Sequence, residues 1–102
     1  MIRLLVLYKQ PADTSAFDRH YSETHIPIAK KLPGLRSYIV SSGKTDLVAG
    51  DQAPYLIAEL EFDSKADLQA AMSSAEGQAT VADLASFAQA GVTVLAFDTH
   101  SV

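Results

Sequence analysis

The order of apolar segments in this 102-residue chain predicts an α+β fold, a ferredoxin-like split βαβ arrangement with a four-stranded antiparallel sheet. Two observations carry this prediction. Strand-like and helix-like segments follow one another as β-α-β-β-α(α)-β, which places the helices on one face of the sheet. The strand-like segment 55–62 alternates one wholly apolar set with one mixed set, so its second face is left open. We expect a second copy to cover that face, giving a homodimer of single-domain chains, residues 1–102.

The N-terminal segments predict a central strand followed by a helix. Apolar residues occupy both alternating sets of Ile2–Tyr8, which is typical of a strand covered on both faces. Asp13 or Ser15 can cap the helix that follows. The inward stripe of that helix is expected at positions spaced i, i+4, i+7 and i+11, which are Phe17, Tyr21, Thr24 and Ile28.

Pro27 predicts that this helix bends or stops near His25. Proline lacks an N–H group, and its ring pushes the preceding Ile26 away from the α region. Pro27 is then expected to open a short second helical turn. Pro33 and Gly34 suit a type II turn, after which residues 35–41 can form a strand whose polar positions favour the edge of the sheet.

The C-terminal half predicts two strands and two further helices. After the loop 43–54, the strand 55–62 should turn its apolar set toward the helices and its mixed set, which includes Ile57 and Glu59, away from them. Ser64 caps the next helix, Gly77 punctuates it, and a second helix is expected over residues 80–88, with Val81, Leu84 and Phe87 inward. The last strand is expected over residues 92–97.

Composition excludes several classes of function. With a net charge of −4 and no basic stripe, the chain is not expected to bind nucleic acid. The chain has no cysteine, which excludes disulfides and thiolate chemistry and favours a cytoplasmic location. The apolar run near the N-terminus is too short to enter a membrane. His20 and His25 would lie about 140° apart on an α-helix, so we expect no metal site, and no phosphate loop or nucleophile motif predicts a cofactor.

Three residues are the candidates for catalysis: His25, Tyr38 and Glu59. His25 at a helix end could act as a general acid or base, or it could only hydrogen-bond carbonyls freed by the proline. Tyr38 could donate a hydrogen bond to a substrate carbonyl or serve only in packing. Glu59 could be a base on an enclosed sheet face or a solvated rim residue. The candidates for substrate binding in the same cavity are Tyr21, Tyr55, Ile57 and Phe17.

Two stretches of this chain resemble the EthD family. The first is the series Phe17, Tyr21, His25-Ile26-Pro27, Leu32-Pro33-Gly34-Leu35 and Tyr38, and the second runs from Ala75 through Asp83-Leu84 and Phe87 to Gly91-Val92. The family is named for its association with ethyl tert-butyl ether breakdown. The resemblance implies a dimeric α/β barrel related to cofactor-independent monooxygenases, polyketide cyclases and lactone isomerases that act on hydrophobic or aromatic molecules. It leaves two alternatives, a small cofactor-free enzyme and a non-catalytic accessory protein that binds a hydrophobic ligand.

Overall fold

A computed structural model describes residues 1–102 and confirms the predicted ferredoxin-like fold. The four antiparallel strands lie in the order β2-β3-β1-β4, with bounds β1 Ile2–Tyr8, β2 Ser37–Val40, β3 Leu56–Phe62 and β4 Val92–Asp98. The strand β1 is therefore central and β2 lies at an edge, as predicted. Gly34, with φ of 78°, occupies the left-handed position that a type II turn requires before β2.

Helical segments connect the strands: α1 Thr14–His20, a π-helical turn Tyr21–His25, α2 Ile26–Ala29, α3 Lys65–Ser73 and α4 Ala75–Phe87. Side chains that accept hydrogen bonds from backbone N–H groups cap three of them: Asp13 caps α1, Ser64 caps α3 and Ser74 caps α4. None of the helices is long and apolar enough to cross a membrane.

The register of the sheet confirms the predicted faces of β3. Leu4 pairs with Leu60 and Val6 with Ala58, which puts these side chains on the face covered by the helices. The buried core on that face consists mainly of Ile2, Val6, Tyr8, Phe17, Tyr21, Leu32, Ala58, Leu60, Phe62, Leu68 and Ala71. The opposite face carries the mixed set, in which Arg3 pairs with Glu61 and Leu5 with Glu59.

The π-helical turn overturns the predicted stripe of the first helix. The N–H of Ile26 donates to the carbonyl of Tyr21, five residues back, so the turn holds one residue more than an α-turn. The helical path consequently continues through Pro27, and Ile26 keeps α-helical dihedrals rather than leaving the α region. Because the extra residue shifts the phase, Thr24 is exposed and His25 is buried in its place.

The last helix starts earlier than predicted. The helix α4 begins at Ala75, directly after Ser74 has closed α3, so Gly77 lies in its first turn instead of separating two helices. A Cβ at Gly77 would collide with the carbonyl oxygen of Ala71 and would lie 2.5 Å from that of Met72. Only glycine fits there because the backbones of α3 and α4 meet at this corner.

Candidate functional site

An apolar cavity of about 290 Å³ lies between the helices and the covered face of the sheet. The wall is almost entirely hydrophobic, and its few polar groups come from histidine, threonine and tyrosine side chains. The lining residues are Leu4, Val6, Tyr8, His25, Leu32, Tyr38, Ala58, Leu60, Met72, Thr80, Val81, Leu84 and Val94. At about 30 Å³ for each water-sized group, this volume accommodates about ten non-hydrogen atoms. An apolar cavity with a few polar groups is the usual form of a small-molecule site.

His25 reaches this cavity because the π-helical turn directs its side chain inward. Its ring is buried and contacts Tyr21 and Phe87, with centroid distances of 5.4 and 4.9 Å. Its Nδ1 atom lies 2.8 Å from Oδ2 of Asp83 on α4. The ring is thus held by aromatic contacts and by one hydrogen bond to a carboxylate, rather than by backbone carbonyls.

Asp83 binds a second imidazole as well. Nε2 of His20 lies 2.9 Å from Oδ1 of Asp83 and 3.1 Å from Oδ2. The two histidines are five residues apart, and in a regular α-helix they would point in different directions. The π-helical turn between them brings both rings to one carboxylate. Burial alone would raise the pKa of Asp83, but the hydrogen bonds with His20 and His25 outweigh it and hold the pKa below its usual value.

The contact with Asp83 determines how His25 can handle a proton. A carboxylate accepts hydrogen bonds, so Nδ1 of His25 carries the hydrogen and Nε2 of the neutral ring keeps its lone pair. Burial lowers the pKa of His25, and the hydrogen bond with Asp83 opposes that effect only in part. The neutral ring is therefore favoured, and this form is the one that acts as a general base.

Two tyrosine hydroxyls form the other polar group of the site. The hydroxyl oxygens of Tyr21 and Tyr38 lie 2.6 Å apart, and Tyr38 borders the cavity. Burial raises the pKa of both phenols, so both stay protonated near neutral pH. One of the two O–H groups is used in the bond between them, and the hydrogen of the other can go to the neighbouring Tyr8 hydroxyl or to a ligand.

The sequence and the fold agree with one protein family. The EthD domain model matches residues 9–91, most of the chain. The chain belongs to the EthD family. A Rhodococcus erythropolis protein described as an uncharacterized 11.0 kDa protein in the thcB–thcC intergenic region is 41% identical, and the alignment spans 100% of this chain and 98% of that relative. The crystal structure of an EthD family protein from Bacillus halodurans superposes with a TM-score of 0.88 at 37% identity, covering 98% of this chain and 99% of the other.

More distant structures share the fold alone. A dimeric ferredoxin-like protein of unknown function from Thermobifida fusca has a TM-score of 0.71 at 16% identity, covering 96% of this EthD chain and 90% of the other. The cofactor-independent oxygenase SnoaB from Streptomyces nogalater, crystallised as a point mutant, has a TM-score of 0.67 at 10% identity, covering 99% and 94%.

Glu59 does not join His25 and Tyr38 in the EthD cavity. Successive strand residues point to opposite faces, so Glu59 and Ile57 lie on the open face while Ala58 and Leu60 line the cavity. The Glu59 carboxylate instead forms an ion pair with Arg3, with Nη1 and Oε1 2.5 Å apart. The predicted convergence of three groups is therefore reduced to His25 and Tyr38.

Phe17 and Tyr55 also lie outside the cavity wall. Phe17 is buried in an aromatic cluster in which its ring contacts those of Tyr8 and Phe87, at centroid distances of 5.4 and 5.3 Å. Tyr55 packs edge-on against Phe17, and its hydroxyl donates to Oδ1 of Asp18 at 2.8 Å. Of the four residues predicted to bind substrate, Tyr21 alone reaches the polar edge of the cavity, through its bond to Tyr38.

Sequence reasoning overlooked Asp83 and Thr80. Both stand in the inward series Thr80, Asp83, Leu84, Phe87, which has the spacing i, i+3, i+4, i+7 of a buried helix face. A carboxylate in such a series is unusual unless it has a partner, and that pattern could have pointed to Asp83. No group of three or more His, Cys, Asp or Glu side chains is arranged to hold a metal ion.

Proposed function

We propose that this EthD protein is a cofactor-independent enzyme that moves a proton on a small hydrophobic or aromatic metabolite held in the cavity. The observation that carries the proposal is the hydrogen bond of 2.8 Å between Nδ1 of His25 and Asp83, at the wall of an apolar cavity. A buried imidazole oriented by a carboxylate has the arrangement of a general base whose second nitrogen faces the substrate.

The site residues suit proton removal from a phenol or from a carbon next to a carbonyl. Nε2 of His25 would accept the proton, and the ring would become a cation beside the Asp83 carboxylate. The second O–H of the tyrosine pair would turn to donate to the oxygen on which negative charge develops. The apolar wall strengthens both interactions because it lowers the local dielectric constant around them. Isomerisation, cyclisation and reaction of the resulting anion with oxygen all begin with such a step, and the fold shared with SnoaB is compatible with the last of these.

We also propose that the protein is a homodimer that pairs through the open sheet face. Apolar side chains of all four strands lie there, and Ile39, Leu95 and Phe97 are 58%, 47% and 41% exposed in one chain. Contiguous apolar surface of this kind is rarely left in water. The description of the Thermobifida fusca neighbour as dimeric supports the same arrangement.

Binding of 4-nitrophenol tests the catalytic proposal without knowledge of the natural substrate. This phenol is of the size that the cavity volume accommodates, and its absorbance reports whether it is bound as phenol or phenolate. We expect the wild-type protein to bind it and to raise the phenolate fraction, because His25 takes the proton and the tyrosine pair donates to the oxyanion. His25→Gln should fold and lose the phenolate band, and Tyr38→Phe should reduce it.

His100 provides the matched control, because it lies exposed in the C-terminal tail. His100→Gln should leave the binding curve and the phenolate fraction unchanged. If His25→Gln binds 4-nitrophenol with the wild-type spectrum and affinity, the general-base assignment is refuted, and the alternative of a non-catalytic ligand-binding protein is favoured.

A further inference from the structure

We propose that His20 is a positioning residue that shares the Asp83 carboxylate with His25 and thereby keeps His25 unprotonated when the surrounding pH falls. The inference deepens the proposed function and rests on it for its catalytic meaning. The coupling between the two rings can nevertheless be measured without any substrate.

The geometry places His20 between Asp83 and the outside of the protein. The exposed fractions of the side chains are 5% for His25, 11% for Asp83 and 31% for His20, so water reaches only the last of the three freely. His20 stacks on Phe87 at a centroid distance of 4.8 Å, which holds its Nε2 against the carboxylate. His25, Asp83 and His20 therefore form a row that runs from the cavity, through one half-buried carboxylate, to a partly exposed imidazole.

One carboxylate can balance one cationic ring well and two rings poorly. When His20 takes a proton from solvent, its positive charge is neutralised by Asp83. A second proton on His25 would then place a cation in an apolar pocket beside an ion pair that is already neutral. A charge on His20 therefore disfavours a charge on His25, which keeps its Nε2 lone pair over a wider range of acidity.

His20 is the one group next to His25 that can carry a positive charge. The titratable groups that face His25 are His20, Asp83 and three phenols. Neither lysine nor arginine lines the cavity. The phenols stay neutral near neutral pH because burial raises their pKa values. These groups are Asp83 on α4, His20 on α1, Tyr21 on the π-helical turn, Tyr8 on β1 and Tyr38 on β2.

An NMR titration of the three imidazoles in the intact protein tests the proposal. His20→Gln replaces the ring by an amide whose NH₂ can still donate to Asp83 and carries no charge. In this variant His25 should titrate about 0.5–1 pH unit higher than in the wild type, because a nearby positive charge has been removed. In the wild type itself, the His25 resonance should show a second, smaller inflection at the pH where His20 titrates.

Two comparisons make the result decisive. His100→Gln should leave the titration of His25 unchanged. An unchanged or lower titration of His25 in His20→Gln, or a wild-type curve with no trace of the His20 titration, would overturn the inference. The phenolate band of bound 4-nitrophenol is read separately: if the coupling is present and the band does not depend on His25, the proposed function fails while the coupling stands.

Discussion

Replacing Asp83 by asparagine should make the protein lose stability faster as the pH falls. The new amide would still offer an oxygen to Nδ1 of His25, but the substitution removes the negative charge that opposes the effect of burial on that ring. The pKa of His25, already lowered by burial, should therefore fall further. The variant is best made in the His20→Gln background, so that His25 is the only imidazole next to position 83.

The sign and size of the effect follow from proton linkage. The pKa of His25 is lower in the folded protein than its value of ~6.5 in the unfolded chain. As the pH decreases from ~6.5 to the folded pKa, the unfolded chain binds a proton that the folded protein does not, so the free energy of unfolding decreases over this range. Loss of an opposite charge within hydrogen-bond distance typically moves a pKa by about 1–3 units, each worth about 1.4 kcal/mol. Between pH ~7.5 and pH ~4.5 a His25 ring that stays neutral loses at most about 2.8 kcal/mol, and the wild-type ring already loses part of this. Asp83→Asn should therefore extend the window downward and cost up to about 2 kcal/mol more at pH ~4.5 than at pH ~7.5.

Denaturant unfolding at several pH values between these limits measures this difference. The free energy of unfolding should be lower at every pH in the Asp83→Asn variant, by about 1.5–3 kcal/mol at pH ~7.5 from the lost charge-assisted hydrogen bond. The gap between the two proteins should then widen on acidification. Parallel curves would show that Asp83 does not support the charge of His25, and would refute the assignment of Asp83 as the electrostatic partner of His25.

Three further predictions concern the fold and the assembly. Gly77→Ala should cost about 1–3 kcal/mol of stability because the added methyl group would meet backbone carbonyls. Helix propensity alone predicts the opposite sign, a gain of about 1 kcal/mol. Thermal melting of this variant beside the exposed control Ala79→Gly decides between the two signs. Leu60→Ala should cost about 2–5 kcal/mol in chemical denaturation, and Glu59→Gln less than about 1 kcal/mol, with reversed values refuting the assigned faces. Sedimentation should find a dimer, because an interface of more than about 1,500 Å² is expected at the open face. Phe97→Asp should convert this dimer to a monomer. A folded wild-type monomer at micromolar concentration would exclude this interface.

Much of the fold could be predicted from local patterns because those patterns depend on near neighbours along the chain. A continuous apolar run located Ile2–Tyr8. Alternation located the two faces of Leu56–Phe62 and correctly separated Leu60 from Glu59. Capping by Asp13 and Ser64 was likewise visible in the sequence, since a cap and its helix are only a few residues apart.

The candidate site could be predicted only in part. His25 and Tyr38 were recognised by residue type and by their place beside Pro27 and the following turn, and the structure puts both at one cavity. Glu59 lies on the open face, as the alternation predicts, so it does not reach the cavity under the helices that His25 and Tyr38 line. Tyr55 and Phe17 belong to an aromatic cluster that could not be distinguished from a cavity wall by spacing alone.

The sequence by itself determined the ferredoxin-like fold, the family and the presence of a histidine at a proline-interrupted helix. The tertiary structure decided where that histidine points and what it touches. A proline can end a helix, kink it or be accommodated by a widened turn, and these alternatives differ in the packing they allow rather than in local preference. Only the packed chain selects the π-helical turn, and that choice brings His20 and His25 to Asp83, which is 58 residues from His25 in sequence.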